Sequence, residues 1–201
     1  MNNFNFAEQI ERRKNPNKEF NSTARFLLVL LAVMVCVTIT FTQIFNGVVV
    51  IGDSMKDTLH DGDYLYMQVN YSSLHHGDII VIKTQDTESG EEKYLIKRLI
   101  GLPGDSLYAE NGMLYRKDAG TDFFYLVVED YLYKSWTDNI ASSEEPLVLG
   151  ENAIFFMGDN RNNSNDSRKS YKNLKKSDIV GIVTPWSIAC KGFLTKIFNI
   201  F

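Results

Sequence analysis

A long uncharged segment near the N-terminus limits the folds open to this chain more than any other feature. Residues 26–45 carry no charged side chain and are mostly leucine, valine, isoleucine, phenylalanine and methionine. A helix needs about 20 apolar residues to cross the ~30 Å hydrocarbon core of a bilayer, so this segment is long enough. A buried core helix is usually shorter, and a cleaved signal peptide has a shorter apolar region before a small-x-small site. No clear Ala-x-Ala follows this run, which therefore predicts an uncleaved anchor.

Charged residues on either side of the run indicate how it would lie in a membrane. Five basic residues precede it, which are Arg12, Arg13, Lys14, Lys18 and Arg25. Its far side opens with the acidic residues Asp53 and Asp57. Because basic residues favour the cytoplasmic side, we expect a cytoplasmic tail at residues 1–25, a transmembrane anchor at residues 26–45 and an exported domain at residues 46–201.

The expected exported domain has the pattern of a mainly β fold. Short apolar or alternating runs, separated by turn-forming residues, predict strands at residues 64–69, 79–82, 94–100, 123–128, 153–157 and 179–184. Asn111-Gly112 lies between two further runs and is a dipeptide that type I′ hairpin turns favour. Residues 129–136 suggest one helical excursion. We therefore expect a single N-terminal transmembrane helix followed by an antiparallel β-sheet domain, with a small β insertion at about residues 105–150.

Charge and cysteine content exclude several classes of function. A net charge of -4 argues against a nucleic-acid binder. Cys36 and Cys190 have no CxxC or CxxH neighbour, so a structural zinc site is not expected. The polar loop that begins at Asp159 resembles an EF-hand loop only in part, because Ser164 and Ser170 stand where glycine and glutamate are required. We expect no metal and no cofactor.

A serine just past the apolar run and a lysine in a predicted strand are the candidates for chemistry. A serine between Asp53 and Met55 is weak support alone, and its position just past the apolar run is what makes Ser54 a candidate. Lys97 lies in residues 94–100, where alternation puts Lys97 and Arg98 on opposite faces of the strand. A solvated strand lysine is the ordinary interpretation. Burial among leucine, isoleucine and tyrosine side chains would instead hold this lysine neutral.

The histidines are not placed to supply a base for a catalytic serine. His60 sits in a predicted turn, and His75 and His76 form an isolated pair, so all three are interpreted as ordinary surface residues. A serine nucleophile needs an adjacent base, and a lysine can serve only when it is neutral. Lowering a lysine pKa from ~10.4 to ~7–8 costs about 4 kcal/mol, which a buried apolar strand can impose and a solvated strand cannot.

Several segments of the chain resemble, in order, the conserved boxes of bacterial type I signal peptidases. These segments are Gly52-Asp53-Ser54-Met55, His76-Gly77-Asp78-Ile79-Ile80-Val81, Tyr94-Leu95-Ile96-Lys97-Arg98-Leu99-Ile100-Gly101-Leu102-Pro103-Gly104-Asp105 and residues 158–168. The resemblance implies a membrane-anchored Ser/Lys serine endopeptidase. Such an enzyme removes N-terminal signal peptides from exported preproteins.

The same resemblance implies roles for individual residues. Ser54 would be the nucleophile and Lys97 the general base. Ser164 would hydrogen-bond to the lysine and orient it. Two structural ion pairs would brace the site, Arg98 with Asp159 and Asp166 with Arg168.

The chain departs from the family pattern at two positions close to Ser54. Asp57 stands where the family usually has proline, which would loosen one turn near the nucleophile. Gly52 stands where some members have a hydroxyl that helps to form the oxyanion hole. We therefore expect the oxyanion hole to use backbone N–H groups, at Ser54 and Gly52.

The expected partners are the signal peptides of exported preproteins and the lipid bilayer, with no nucleic acid. Residues 186–201 are apolar with two lysines and would either lie on the bilayer or complete the core. The alternatives are a self-cleaving repressor-type Ser/Lys protease and an inactive or specialised membrane-anchored binding module. The apolar run argues against the first alternative. The presence of both Ser54 and Lys97 argues against an inactive relative.

Overall fold

The computed structural model describes residues 16–86, 90–132 and 134–198, which form two compact units that divide after Ile44. The first unit is helix α1 (Pro16–Ile44), which begins at a proline, a residue suited to the first turn of a helix. Its portion Asn21–Ile44 is long and apolar enough to cross a membrane. At 1.5 Å per residue that portion extends about 36 Å. The predicted apolar helix is therefore confirmed.

Threonine hydroxyls within α1 are compatible with an apolar environment because they bond inside the helix. Thr38 Oγ1 donates to the carbonyl of Met34 at 2.9 Å, and Thr40 Oγ1 donates to that of Cys36 at 2.9 Å. A hydroxyl buried without a hydrogen-bond partner costs free energy, and these two avoid that cost.

The second unit is built mainly from antiparallel strands, as the sequence predicts. Its strands among the described residues are β1 (Phe45–Val49), β2 (Tyr64–Gln68), β3 (Ile79–Gln85), β4 (Glu92–Gly101), β5 (Ser106–Glu110), β6 (Met113–Lys117), β7 (Tyr125–Leu126), β8 (Leu147–Val148), β9 (Phe155–Met157) and β10 (Ile179–Val183). The larger sheet has the order β1-β2-β10-β3-β4-β9, and the smaller has the order β7-β6-β5-β8. The smaller sheet is formed by the chain between β4 and β9.

Strand β3 of the larger sheet is buried on both faces at its start, which explains the continuous apolar run there. Ile80 and Ile82 belong to one hydrophobic cluster, whereas Ile79 and Val81 belong to another. Because successive strand residues point to opposite faces, a strand covered on both sides needs apolar residues at every position. The central strand therefore lies between two packed layers, and β4 lies beside it.

The hairpin between β5 and β6 forms at the predicted dipeptide. Asn111 and Gly112 have φ values of 54° and 74°, which is the left-handed conformation that a type I′ turn requires at both central positions. The pairing of Glu110 with Met113 leaves these two residues as the loop. Tyr108 and Tyr115 pair across the strands and stack with ring centroids 4.7 Å apart.

Other local predictions differ from the structure. The helical excursion predicted for residues 129–136 is wrong at the residues described there, which form turns and irregular backbone. Their side chains make separate contacts within the second unit and do not share one helical face. The strand predicted at residues 123–128 is reduced to β7, and β1 was not predicted. Near the C-terminus the chain forms two short helices, α2 (Pro185–Ala189) and α3 (Lys191–Phe198).

Candidate active site

The structure brings Ser54 and Lys97 into direct contact, although they lie far apart in the sequence. Lys97 Nζ is 2.7 Å from Ser54 Oγ and donates a second hydrogen bond of 3.0 Å to the carbonyl of Ile96. Lys97 shares its strand face with Leu95 and Leu99, and all three are buried. Only 4% of Lys97 is exposed. The lysine is therefore held in an apolar layer, with its nitrogen at the serine hydroxyl.

Burial changes the proton affinity of this lysine. Loss of hydration lowers the pKa of Lys97 from 10.5 to about 8. The carboxylates of Asp166 and Asp159 oppose this change by favouring the ammonium form, and the charge of Lys93 adds to the lowering. A substantial fraction of Lys97 is consequently neutral at mildly alkaline pH and has a lone pair to accept a proton.

The turn that carries Ser54 is tied to the chain that follows it. Val50 exchanges backbone hydrogen bonds with Asp63 and Gly62, both at 2.9 Å. Gly52 has a φ of 83° and donates its N–H to Asp61 Oδ1 at 2.7 Å. This differs from the expectation that Gly52 contributes to the oxyanion hole, because the Asp61 carboxylate takes that N–H. The N–H of Ser54, by contrast, donates to no residue that the structure describes.

Two buried ion pairs lie beside the Ser54–Lys97 contact. Arg98 forms a bidentate pair with Asp159 at 2.8 and 2.6 Å. Arg168 pairs with Asp166 through two bonds of 2.9 Å. Burial alone would raise the pKa of Asp166, but the bonds and charge of Arg168 outweigh it and the pKa is lowered. The Asp166 carboxylate therefore stays charged close to Lys97.

Gly158 lies where the polar loop of residues 158–168 meets the turn that carries Ser54. A Cβ at this position would lie 2.3 Å from the Ser54 carbonyl oxygen and 2.4 Å from Ser164 Oγ. The N–H of Gly158 donates to Asp166 Oδ2 at 3.0 Å. Only a residue without a side chain permits this approach.

The expected hydrogen bond between Ser164 and Lys97 is not present in the structure. Ser164 is buried, and its Oγ has no hydrogen-bond partner among the described residues. The Lys97 nitrogen bonds instead to Ser54 and to the carbonyl of Ile96. The Ser164 hydroxyl nevertheless lies close enough to the Asp166 carboxylate to lower the pKa of Asp166.

Residues that the sequence analysis did not select form a second layer around the ion pairs. Arg161 has a fully buried side chain and bonds to Glu129 at 2.9 and 2.5 Å. The Arg98 guanidinium lies 3.9 Å from the ring centroid of Tyr131. Thr58 Oγ1 donates to Asp159 at 2.5 Å. Arg161 lies within the polar loop and could have been selected there, whereas no local pattern marks Glu129, Tyr131 or Thr58.

His76 is not the ordinary surface residue that the sequence suggested. Its Nε2 lies 2.6 Å from Asp105 Oδ2, and the Asp105 side chain is almost completely buried. With Asp118, these residues place ligand-type atoms within 4.8 Å of one another. Asp118 is already paired with Arg116 at 2.7 Å. The group is therefore organised as a hydrogen-bonded network between protein side chains.

An open cleft of about 860 Å³ leads to Ser54 and Lys97. One wall comes from residues 48–51, which include the end of β1, and the other from residues 92–97 of β4. Strand β9 pairs with β4 only from Arg98 onward. The edge of β4 before that point therefore faces the cleft, within the part of the chain that the structure describes.

Comparison with known proteins identifies close similarities. The family described as signal peptidase, peptidase S26, matches residues 23–187. Signal peptidase I P of Bacillus subtilis subsp. natto is 33% identical over 183 residues, covering 86% of this chain and 90% of that protein. Signal peptidase I S of Bacillus subtilis strain 168 is 34% identical over 157 residues, covering 76% of this chain and 82% of that protein.

A crystal structure of a signal peptidase I from Enterococcus faecalis V583 covers 57% of this chain and 100% of that chain, with 26% identity and a TM-score of 0.44. The family match extends from α1 through all the strands and the Ser54–Lys97 contact. The relatives from Bacillus cover most of their own length as well as most of this chain. On the family match and these relatives, the chain belongs to the signal peptidase family, peptidase S26.

Proposed function

We propose that this chain removes signal peptides from exported preproteins with Ser54 as the nucleophile and Lys97 as the general base. The observation that carries the proposal is the 2.7 Å contact between Lys97 Nζ and Ser54 Oγ in a buried setting. Burial is what makes a lysine usable as a base near physiological pH. Family membership independently indicates a serine endopeptidase of the signal peptidase I type.

The reaction follows from this geometry. Neutral Lys97 takes the proton of Ser54 as Oγ attacks the scissile carbonyl carbon, and the carbonyl oxygen becomes an oxyanion. The Ser54 N–H is directed to that oxygen as a donor. The Lys97 ammonium then protonates the leaving amine as the peptide bond breaks, which leaves an acyl-enzyme. Water attacks the ester and gives a proton to Lys97, which passes that proton to Ser54 Oγ as the ester bond breaks. The signal peptide is released, and Ser54 and neutral Lys97 are restored.

The surrounding charges support this role for Lys97 by holding its strand and the nucleophile turn together. Arg98 with Asp159 links β4 to the polar loop, and Asp166 with Arg168 closes that loop on itself. Ser164 is assigned to the orientation of Lys97, a role for which its unpartnered hydroxyl is available.

The cleft supports an extended peptide as the substrate. A peptide that enters between residues 48–51 and β4 meets a sheet edge, where backbone hydrogen bonds bind an added strand without regard to sequence. Side chains on one face of that strand would meet Val50, Met55 and Ile96, which line the cleft. These apolar walls suit the small uncharged residues that precede a signal-peptide cleavage site.

The membrane topology is part of the same proposal. Residues 1–25 form a cytoplasmic tail, residues 26–45 the transmembrane anchor and residues 46–201 the exported catalytic domain, with a small subdomain inserted at about residues 105–150. The basic residues before the anchor support this orientation. Protease added outside spheroplasts should digest the exported domain and spare the tail. Protection of the exported domain until the membrane is lysed would contradict the orientation.

Direct cleavage tests the activity. The full chain, solubilised in detergent, is incubated with a preprotein, and the new N-terminus is mapped by mass spectrometry. Ser54→Ala should abolish cleavage, whereas Ser170→Ala, at an exposed serine of the same loop region, should cleave at the wild-type rate. Cleavage by folded Ser54→Ala at the wild-type site would rule out Ser54 as the nucleophile.

A further inference from the structure

Asn160 makes two hydrogen bonds to the turn that carries the nucleophile. Its backbone N–H donates to the carbonyl of Ser54 at 3.1 Å, and its side-chain Nδ2 donates to the carbonyl of Asp53 at 3.1 Å. The backbone contact needs no particular side chain at this position. The side-chain contact needs an amide donor of this length, so it depends on residue 160 being asparagine.

The contact with Asp53 acts on the peptide group that contains the Ser54 N–H. The carbonyl of residue 53 and the N–H of residue 54 belong to one planar trans peptide and point in opposite directions. The Lys56 N–H also donates to the Asp53 carbonyl, at 3.2 Å. The Asn160 amide adds a donor from outside the turn, so the two donors together hold this carbonyl and set the direction of the Ser54 N–H. That N–H is the oxyanion donor in the proposed reaction, and none of the described residues accepts it.

Asn160 is itself held in place, so it can fix the turn instead of following it. Its neighbour Asp159 is fully buried in the bidentate pair with Arg98. On its other side, the N–H of Asn163 donates to the Asn160 carbonyl at 3.0 Å and closes a short 3-10 turn. The amide therefore projects from a rigid segment onto the peptide between residues 53 and 54.

We infer that Asn160 is a positioning residue. Its side chain fixes the direction of the Ser54 N–H before the oxyanion forms. This inference rests on the proposed roles of Ser54 and Lys97 and adds a residue that acts through Ser54. Because oxyanion donors work by being oriented before charge develops, loss of the amide should weaken stabilisation of the transition state. Substrate binding before the reaction should change little.

The chain offers a matched control two residues away. Asn162 Nδ2 also donates to a backbone carbonyl, that of Ser135, at 3.0 Å and at an exposed position. Asn162→Ala and Asn160→Ala therefore each remove one amide-to-carbonyl bond of the same kind from the same loop. They differ in whether the carbonyl belongs to the nucleophile turn.

The test compares kcat, KM and inhibition by a peptide aldehyde in the full solubilised enzyme. The aldehyde forms a hemiacetal with Ser54 whose oxygen occupies the oxyanion position, whereas the matching product peptide forms no such bond. For Asn160→Ala we expect kcat and aldehyde affinity to fall together by about 10- to 100-fold, less than the ~100- to 1000-fold loss of a whole donor. We expect KM and product-peptide affinity to change less than twofold, and Asn162→Ala to match wild type.

Specific outcomes would overturn the inference. One is wild-type kcat in Asn160→Ala. Another is a loss of kcat with unchanged aldehyde affinity. A third is an equal loss in Asn162→Ala. If Asn160→Ala does not fold, Asn160→Asp replaces it, because aspartate keeps the size of the side chain. Its kcat, KM and the two affinities are then compared with those of wild type at alkaline pH, where the rate no longer rises because Lys97 is neutral. A wild-type enzyme that fails to cleave preprotein would contradict the proposed function instead.

Discussion

The rate of cleavage should depend on pH through the protonation of Lys97. With its pKa lowered to about 8, the neutral fraction of this lysine is about one tenth at pH 7, half at pH 8 and nine tenths at pH 9. The rate limited by this base should therefore rise about tenfold from pH 7 to pH 9 and then flatten. A lysine with the ordinary pKa of ~10.4 would give a rate that still climbs tenfold per unit at pH 9.

The lowered pKa of Lys97 also makes the free energy of unfolding depend on pH. The difference between the ordinary value of 10.5 and about 8 corresponds to about 3 kcal/mol at 1.36 kcal/mol per unit. Between these pH values the unfolded chain binds more protons at Lys97 than the folded chain does, so stability increases with pH. Relative to Lys97→Met, the free energy of unfolding of wild type should rise by up to about 3 kcal/mol from pH 8 to pH 10.5. Below pH 8 the difference should be flat.

The assay measures preprotein cleavage from pH 6 to pH 10 in wild type and Lys97→Arg, with folding checked by circular dichroism. Lys97→Arg should be inactive throughout, because a guanidinium stays protonated at every usable pH. Lys83→Arg makes the same change at a half-exposed lysine of the neighbouring strand that is paired with Glu92, and it should retain activity. Near wild-type rates in folded Lys97→Arg, or a flat wild-type profile between pH 6 and pH 9, would refute the assignment of the base.

Further predictions concern the residues that hold the site together. Gly158→Ala should lower kcat at least 100-fold, because the backbone must move where a Cβ would lie 2.3 Å from the Ser54 carbonyl. Gly150→Ala, with open space at that position, should be neutral in the same kinetic assay. Glu129→Gln should lower the free energy of unfolding by about 3–5 kcal/mol in urea, because it leaves the buried charge of Arg161 uncompensated, and a loss under about 1 kcal/mol would contradict this. Ser164→Ala should lower kcat about tenfold while the melting temperature is unchanged, because the Ser164 Oγ has no partner of good hydrogen-bond geometry; a lower melting temperature would show that its proximity to Asp166 stabilises the fold.

Local sequence patterns predict the parts of the molecule whose conformation depends mainly on neighbouring residues. An uncharged run of sufficient length favours a helix that can cross a membrane wherever the rest of the chain lies. Asn111-Gly112 favours the left-handed turn of its hairpin through the conformational freedom of those two residues alone. Alternation in residues 94–100 places Lys97 on the face of Leu95 and Leu99. The candidates for the catalytic dyad were selected by motifs of this kind, together with family resemblance.

The protonation of Lys97 and the direction of the Ser54 N–H depend on segments that are distant in the sequence. The pKa of Lys97 is lowered because packed layers exclude water from it, and no window of sequence around the lysine specifies those layers. Glu129 finds Arg161 across 32 residues, and the segment around Glu129 is irregular because such partners take precedence over a helical pattern. Asp61 takes the N–H of Gly52, and Asn160 holds the carbonyl of Asp53. Desolvation and the direction of a single N–H arise from long-range packing, so only the tertiary structure decides them.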